Sequence, residues 1–262
     1  MRTIAIVNRK GGSCKTTTTV ELAHILATVC RKRVLVMDLD SQADTTYMML
    51  GRTAEEGAGT ADVLRMSLDY YPDVIWPTDI SGLDIIPATE ELASVDMDCM
   101  LGRMKPNFHR LQGLILALME DDAYDIVLMD CPPNYNAACI NAIVACDYVL
   151  IPTTLDDYSL NGMKSLLYQI RELRTGCPQV NLAGVLVVKY RNFEGNQKTL
   201  AELRANSPIR VFQTVIRCSD EKMEDANRNK KTAQQWSPFC NCAKDYRALA
   251  RELMELGVLP HE

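Results

Sequence analysis

The sequence lacks a long apolar segment. No stretch approaches the roughly 18–20 consecutive apolar residues that a membrane-spanning helix needs. The first apolar segment, TIAIVN, is too short for the apolar region of a secretory signal peptide, and a glycine-rich loop follows it without a cleavage site. Internal repeats, low-complexity tracts and obvious linkers are also missing. We therefore expect a cytoplasmic protein that forms a single domain over residues 1–262.

Histidine is scarce, and the cysteines form no recognisable metal site. His24, His109 and His261 are the only three histidines and suggest no ligand set. Most of the ten cysteines lie in or beside apolar segments, which favours reduced thiols that pack as small hydrophobic side chains. The only tight pair is CNC at 240–242, and a single CxC is weak evidence for metal binding.

Positive charge is not in excess. The formal net charge is −6, which argues against a surface covered in nucleic-acid-binding residues. The charge is uneven, however, because residues 186–231 contain ten Lys and Arg against six Asp and Glu, a local charge of +4. This segment is the candidate for a surface that faces phosphate groups.

Short apolar segments alternate with helical patterns along the chain. Strand-like segments cover 3–8, 33–40, 83–88, 124–130, 148–153 and 182–190, and helical patterns cover 15–30, about 106–120, 136–146, 159–174, 196–206 and about 239–256. Several strands are apolar throughout, as in a parallel sheet with both faces covered. Residues 51–82 are expected to form a short helix and loops. The predicted fold class is α/β, a doubly wound, mostly parallel sheet flanked by helices.

The segment RKGGSCKTTTT lies between the first strand and the first helix. Glycines allow close approach of the backbone to phosphates, and a helix N-terminus directs N–H groups at an anion. Lys15 is placed to reach the β- and γ-phosphates, and Thr16 to bind Mg²⁺. Lys10 and Cys14 replace the first and last glycines of the ordinary phosphate-loop pattern. We expect Cys14 to be tolerated through a negative φ, with nucleotide binding retained.

Three aspartates follow apolar strands. Asp38 and Asp40 end the segment RVLVMDLD, and Asp130 ends YDIVLMD. In open α/β sheets, ligands bind at the carboxyl ends of the strands, so these side chains should converge on the glycine-rich loop. The sequence therefore predicts a site for a nucleotide with its metal ion.

Four segments carry a family resemblance: KGGSCKTTT, DLDSQAD, DCPP and VLIPTTLDDYSLNGM. They resemble the deviant Walker A, A′ and B segments of the ParA/MinD class of P-loop ATPases, and most closely the ParA (Soj-like) partition ATPases. VFQTVI with the polar loop after it, and AKDYRALARELM, extend the resemblance over nearly the whole chain. It implies a P-loop NTPase fold of the deviant Walker A type, with ATP and Mg²⁺ as cofactors and ATP hydrolysis as the activity.

The resemblance also implies roles for individual residues. Lys10 is the signature lysine, which crosses a dimer interface to the phosphates of ATP in the other subunit, and Lys15 is the phosphate lysine within the subunit. Asp40 orients or activates the attacking water. The implied Mg²⁺ ligands are Thr16 directly and Asp38 and Asp130 through water. The implied nucleotide-binding set is Lys10, Gly11, Gly12, Ser13, Cys14, Lys15, Thr16 and Thr17.

The implied partners are a second copy of the chain in ATP, non-specific DNA on the nucleoid, and a ParB-like centromere-binding protein that stimulates hydrolysis. The chain begins at its first strand, so we expect no N-terminal helix-turn-helix extension. The loop after TVI departs from the family, since RCSDEKMEDANRNKK lacks the usual initial proline and arginine. Adenine recognition is expected from the loops after Val188 and Ile216. Candidate DNA contacts are Arg191, Lys198, Arg217, Lys222, Arg228, Lys230 and Lys231.

Three other functions remain open. A MinD-like membrane-cycling ATPase needs a basic amphipathic C-terminal helix, whereas ARELMELGVLPHE carries one arginine, Arg251, against Glu252, Glu255 and Glu262. An electron carrier of the nitrogenase-iron-protein kind needs cluster ligands, for which Cys99 and Cys131 are the only candidates. A nucleotide switch without turnover would result if Cys14 disables hydrolysis.

Overall fold

Eight strands form one sheet in a computed structural model, which describes residues 1–54, 57–65, 71–105 and 107–261. The strands are β1 (Arg2–Ile6), β2 (Val34–Asp38), β3 (Trp76–Pro77), β4 (Leu83–Ile86), β5 (Ile126–Asp130), β6 (Tyr148–Thr153), β7 (Asn181–Tyr190) and β8 (Val211–Arg217). Their order is β3-β4-β2-β5-β1-β6-β7-β8, and every neighbouring pair is parallel except β3 with β4. This confirms the predicted fold class.

Helices cover both faces of the sheet. They are α1 (Lys15–Thr28), α2 (Asp44–Leu50), α3 (Thr60–Arg65), α4 (Leu92–Met100), α5 (Arg110–Glu120), α6 (Ala137–Ala145), α7 (Asp157–Gly176), α8 (Glu194–Asn206), α9 (Asp220–Arg228), α10 (Ala233–Trp236) and α11 (Asn241–Glu255), with a 3₁₀ turn at Tyr71–Val74. No helix within these described residues is both long enough and apolar enough to span a membrane.

The sheet divides the apolar core into two layers. Alternate side chains of a strand point to opposite faces, so in β1 Ala5 belongs to the layer that includes α3 to α8, while Ile4 and Ile6 belong to the layer that includes α1 and α11. The central strands β2 and β5 alternate in the same way. Because both faces are covered, these strands are apolar throughout, which explains why they could be recognised in the sequence.

Four helices were not predicted, namely α2, α4, α9 and α10, and they bury little apolar surface. α4 buries only Leu92 and Val95. α9 lies where a polar loop was expected, and it places Met223 and Ala226, three residues apart, against the protein. One apolar contact per turn is too weak a periodic pattern to indicate a helix. The predicted short helix in 51–82 corresponds to α3, and residues 55–56 and 66–70 of that segment lie outside the described residues.

A buried carboxyl group connects α1 to α10. Glu21 is only 2% exposed, and its Oε1 accepts a hydrogen bond from the backbone N–H of Ala233. Its Oε2 has no hydrogen-bond partner among the residues that the structure describes. Burial raises the pKa of Glu21 to about 7, against the opposing effect of backbone N–H groups of Ala233 and Gln234. The ionised form is therefore destabilised in the folded chain.

We expect the Glu21→Gln variant to gain stability relative to the wild type as pH rises. The folded-state pKa of about 7 exceeds the ordinary value of 4.5, so the wild type loses stability as pH rises through this interval. The glutamine of the variant does not titrate, so the free energy of unfolding of the variant should rise relative to that of the wild type by about 1–3 kcal/mol by about pH 8. Unfolding in urea at about pH 5 and pH 8 measures this difference. A stability difference that is the same at both pH values would contradict the assignment.

Candidate nucleotide site

A cavity of about 440 Å³, called the main cavity, opens at the carboxyl ends of the central strands. Its floor is the phosphate loop, residues 11–17, between β1 and the first turn of α1. The remaining wall comes from the ends of β2, β5, β7 and β8 and from α9 and α11: Asp40, Asp44, Pro133, Lys189, residues 216–219, Met223, Glu224, Asn227, Cys242 and Tyr246. The loops expected to recognise adenine, after Val188 and Ile216, therefore border this cavity; their role stays a prediction.

The phosphate loop presents one buried donor without a partner and one with a long hydrogen bond. Gly12 has a φ of 72°, a left-handed conformation that favours glycine. Ser13 is buried, and its Oγ has no partner within the described part of the chain. Lys15 is also buried, with its Nζ 3.5 Å from the carbonyl oxygen of Lys10. Together with the N-terminus of α1, this arrangement is suited to binding an anion.

Asp130 is the centre of the acidic side of the site. Its Oδ2 accepts hydrogen bonds from Thr16 Oγ1 and Thr45 Oγ1, each at 2.7 Å. Its Oδ1 is buried and has no partner among described residues. Asp38 is paired with Asp130 in the β2–β5 register, and its Oδ2 accepts from the N–H of Thr46 at 2.8 Å and from Thr46 Oγ1 at 2.7 Å.

The two buried carboxyl groups favour a bound cation. Burial, and then the charge of Asp130, raise the pKa of Asp38. Burial also raises the pKa of Asp130, although hydrogen bonds from Thr45 and Thr16 and the charge of Lys15 oppose the change. A divalent cation would favour the ionised forms. Mg²⁺ prefers carboxylate and hydroxyl oxygens, so the free Oδ1 of Asp130 and the hydroxyl of Thr16 fit this metal.

Asp40 lies beside this group at the edge of the main cavity. Its Oδ1 accepts a hydrogen bond from the N–H of Gln42 at 3.1 Å, and its own N–H donates to Asp38 Oδ1 at 3.2 Å. Burial and the charge of Asp40 together raise the pKa of Asp44, which lines the same cavity. The structure thus brings Asp38, Asp40 and Asp130 together as expected, and it adds Thr45, which the sequence reasoning missed.

Lys10 folds back onto its own subunit. Its Nζ donates to both carboxylate oxygens of Asp156 at 2.9 Å and to Ser159 Oγ at 2.8 Å. Asp156 caps the N-terminus of α7. Although burial raises its pKa, hydrogen bonds from Thr154, Lys10 and Ser159 hold the pKa of Asp156 well below its usual range. Asp156 is a second residue that was missed; the available signal was an aspartate shortly before the helical pattern at 159–174, since aspartate is a preferred N-cap residue.

Cys14 does not have the negative φ that we expected. It adopts φ 60° and ψ 31° as the N-cap of α1, and its carbonyl oxygen accepts the N–H of Thr18 at 2.9 Å. The expectation was wrong because the loop must turn through a left-handed residue to bring that carbonyl into line with the helix. A non-glycine residue in this conformation costs roughly 1–2 kcal/mol.

We therefore expect Cys14→Gly to stabilise the chain by about 0.5–1 kcal/mol, since glycine removes the strain but makes the unfolded chain more flexible. The measurement is the free energy of unfolding in urea. Cys14→Ala is the matched control, because alanine removes the thiol and keeps the strain. If the alanine variant is stabilised as much as the glycine variant, the thiol and not the backbone is responsible.

The seven candidate DNA contacts have different surroundings in the structure. Arg217 lines the main cavity, where its Nη2 lies 2.6 Å from Asp245 Oδ1. Arg228 lies beside Glu224 at 3.5 Å. Lys230 and Lys231 follow α9, with their Nζ atoms 4.5 Å and 5.8 Å from the ring centroids of Tyr47 and Trp236. Arg191, Lys198 and Lys222 are exposed. DNA contact by these residues stays a prediction.

Two of the alternative functions find little support in the geometry. The apolar face of α11, which includes Tyr246, Leu249 and Leu253, is buried against the sheet and α1. Cys131 is fully buried, so its thiol cannot bridge a cluster to a second subunit. Within the described ranges, no group of three or more His, Cys, Asp or Glu side chains is arranged to hold a metal ion.

Known proteins resemble this chain over nearly its full length. A family model described as an AAA domain matches residues 1–182. The chain is 32% identical over 257 residues to the chromosome partitioning protein ParA of Caulobacter vibrioides, covering 97% of this chain and 94% of that protein. It is 35% identical over 262 residues to the chromosome-partitioning ATPase Soj of Thermus thermophilus, covering 97% and 96%.

A solved structure supports the fold. A McdA variant from Cyanothece in complex with ATP matches with a TM-score of 0.82 and 21% identity, over 97% of this chain and 96% of that chain. At this identity the likeness concerns the fold alone. The two sequence relatives confirm the resemblance noted above, and the chain therefore belongs to the ParA/Soj family of partition ATPases.

Proposed function

We propose that the chain binds ATP with Mg²⁺, forms an ATP-dependent sandwich dimer, binds DNA non-specifically, and hydrolyses ATP to position plasmid, chromosomal or mobile-element DNA. It would act in the cytoplasm on the nucleoid, with a ParB-like protein that stimulates hydrolysis. The observation that carries the proposal is the buried Asp130, which joins Thr16 and Thr45 through Oδ2 and leaves Oδ1 without a described partner beside the phosphate loop.

The phosphate loop and Lys15 would hold the phosphates of ATP. The loop lines the main cavity at the N-terminus of α1, and the buried ammonium of Lys15 would balance charge on the β- and γ-phosphates. Thr16 and Asp130 would hold Mg²⁺, with Asp38 at the next strand as support. When bound, this ion neutralises charge that develops on the phosphate oxygens.

Asp40 would orient the attacking water. Phosphoryl transfer depends mainly on in-line positioning and on charge stabilisation, so a carboxylate at the cavity edge is sufficient for this role. The N–H of Gln42 holds one oxygen of Asp40. The bond from the N–H of Asp40 to Asp38 also links the water-orienting residue to the metal-supporting one.

Lys10 would leave Asp156 when two subunits meet. Its exposed pair with Asp156 has a small net stability, typically about 0–1 kcal/mol, so little opposes its release. The ammonium would then contact phosphates of the ATP held by the second subunit. ATP would become part of the interface, and hydrolysis would loosen the dimer.

DNA binding by the dimer would depend on Lys and Arg contacts to phosphates. Lys230 and Lys231 are the best placed candidates, because they lie in the turn directly after α9. Three residues of α9 line the main cavity: Met223, Glu224 and Asn227. A change in the cavity could therefore move the turn that carries these lysines. This arrangement would make DNA binding depend on the nucleotide.

The proposal is tested by size-exclusion chromatography together with a DNA-binding assay. In ATP, wild type should elute as a dimer and bind random-sequence duplex DNA, and in ADP it should do neither. The double variant Lys230→Ala/Lys231→Ala should reduce the slope of log affinity against log salt by about 0.9 per lost contact. Lys32→Ala is the control, since Lys32 lies before β2, at the opposite end of the sheet. Binding of ATP without dimer formation or DNA binding would overturn the proposal.

A nucleotide switch without turnover is the second candidate, and Cys14 is the observation that favours it. This side chain lies in the main cavity at a strained, left-handed residue of the phosphate loop. If wild type shows no hydrolysis with DNA and Cys14→Gly restores it, the switch is the correct function. Equal, measurable rates in both proteins would exclude it.

A further inference from the structure

A second cavity, of about 370 Å³, lies away from the phosphate loop, between α3, α4, α5 and α6. Its wall is mainly apolar and includes Leu64, Val95, Met104 and Ile140. Its volume lies within the range of roughly 300–1,000 Å³ that is usual for small-molecule sites. Neither the family match nor the proposed function assigns anything to this space.

The polar side of the second cavity holds a buried guanidinium. Arg110, the first residue of α5, lines the cavity and is only 9% exposed. Nη1 donates to the carbonyl oxygen of Leu64 and to Met104 Sδ, and Nη2 donates to the carbonyl oxygen of Lys105 at 2.6 Å. All of these acceptors are neutral. Nε has no partner within the described residues, so a buried positive charge has no carboxylate against it there.

Tyr135 supplies a second unused donor. It lines the same cavity, and its buried hydroxyl also has no partner among the residues described. Burial, and then Cys139, raise the pKa of Tyr135 to about 12, so the hydroxyl remains protonated and can donate. Buried donors without acceptors destabilise a structure unless a ligand completes them.

The carboxylates nearby are already engaged. Asp96 lines the cavity, but its oxygens accept from Asn136 Nδ2 at 2.8 Å and from the N–H of Ala137 at 3.2 Å, at the N-terminus of α6. Asp98 lies 3.1 Å from Arg65 Nη2. Neither forms a described ion pair with Arg110. The negative charge that would balance this guanidinium is therefore missing from the described chain.

The mouth of the cavity exposes large apolar side chains. Met100 and Phe108 line the cavity, and they are 83% and 42% exposed. Exposed apolar surface beside a pocket marks a binding site, and methionine adapts readily to the shape of a ligand. An occupant would therefore have an apolar body at the mouth and an anionic group at the polar wall.

We propose that the second cavity binds a small amphipathic carboxylate, with its apolar body against the methionines and its carboxylate toward Arg110 and Tyr135. A carboxylate has two oxygens, which match the two unpartnered donors, the Nε–H of Arg110 and the hydroxyl of Tyr135. A phosphate would need more donors than this wall offers. The site is independent of ATP hydrolysis, so failure of either proposal leaves the other standing.

The probes are octanoate and 1-octanol, which share a chain and differ in charge. Each is titrated by calorimetry into the full chain with saturating Mg²⁺ and ADP, which occupy the main cavity. We expect octanoate to bind at least about ten-fold more tightly than octanol, since a charge-assisted contact is available only to the acid. Equal affinities for the two, or no saturable binding of octanoate, would overturn the proposal.

Substitutions in the wall of the second cavity test whether octanoate binds there. Tyr135→Phe should weaken octanoate binding several-fold and leave octanol unchanged, and Ile140→Trp, which fills the cavity, should abolish binding of both. Arg103→Gln is the matched control, because it removes an exposed arginine and should change neither affinity. Arg110→Met should behave like Tyr135→Phe with a larger loss; if it fails to fold, Tyr135→Phe decides. Wild-type octanoate affinity in Ile140→Trp would overturn the assignment.

Discussion

Replacing Asp40 with alanine should slow ATP hydrolysis by roughly 10²–10⁴-fold and leave the ATP-dependent dimer intact. The carboxylate of Asp40 lies at the cavity edge, held by the N–H of Gln42, while the phosphate loop, Thr16 and Asp130 form separate contacts. The Asp40→Ala variant should therefore still bind ATP and form the dimer, while its rate of ATP hydrolysis falls. Single-turnover release of phosphate measures the rate, and sizing in ATP measures the dimer.

Asp44→Asn is the matched control for Asp40→Ala. Asp44 is an acid that lines the same cavity and whose pKa responds to Asp40, but it lies one turn further, at the start of α2. We expect a rate within about ten-fold of wild type, because the water-orienting carboxylate is retained. Similar losses in both variants would mean that the general negative charge matters and not the position of Asp40.

The Lys10→Ala variant should retain ATP binding but lose the dimer. Removing a charge that is buried against phosphates in an interface weakens association by about 2–5 kcal/mol, or roughly 30-fold or more in the dimer dissociation constant. In the single chain, the Lys10 ammonium donates to Asp156 and Ser159 at the start of α7, and its backbone contacts remain in the alanine variant, so the fold should not change. The measurement is the dimer dissociation constant from analytical ultracentrifugation in ATP.

Two variants distinguish this role from a simple loss of charge. Arg9→Ala removes the neighbouring positive charge, whose Nη1 donates to Ser165 Oγ at 2.9 Å, and it should leave the dimer nearly unchanged. Asp156→Asn weakens the pair that retains Lys10 in its own subunit, and it should favour the dimer by up to about five-fold. A dimer that persists in Lys10→Ala would remove the signature-lysine role.

The strands that carry the site were predictable because they are buried on both faces. β1, β2 and β5 are continuous apolar runs, and the aspartates that end two of them were expected to meet. The geometry of the phosphate loop was harder to predict, because the backbone angle of one residue depends on how the loop joins the helix. Sequence alone therefore placed Cys14 in the loop before the first helix but predicted the wrong sign of its φ.

Contacts between distant polar residues could not be predicted. Lys10 and Asp156 are 146 residues apart, and no local pattern links them. Thr45 follows the predicted acidic segment, but only the packing of α2 beside β5 brings its hydroxyl to Asp130. α9 was missed because its contacts with the main cavity are made mostly by polar residues, which carry no hydrophobic period.

In the proposed dimer, the pair between Lys10 and Asp156 would make assembly an exchange of ion contacts. A chain that joins a second copy would give up the contact of the Lys10 ammonium with Asp156 and would gain one with phosphate. Dissolved ions screen both contacts, so their effects on the two states largely cancel. DNA binding has no such compensation, because it releases counterions from the nucleic acid. Raising ionic strength should thus detach the protein from DNA while its subunits stay together, which would separate the assembled form from the DNA-bound form in one titration.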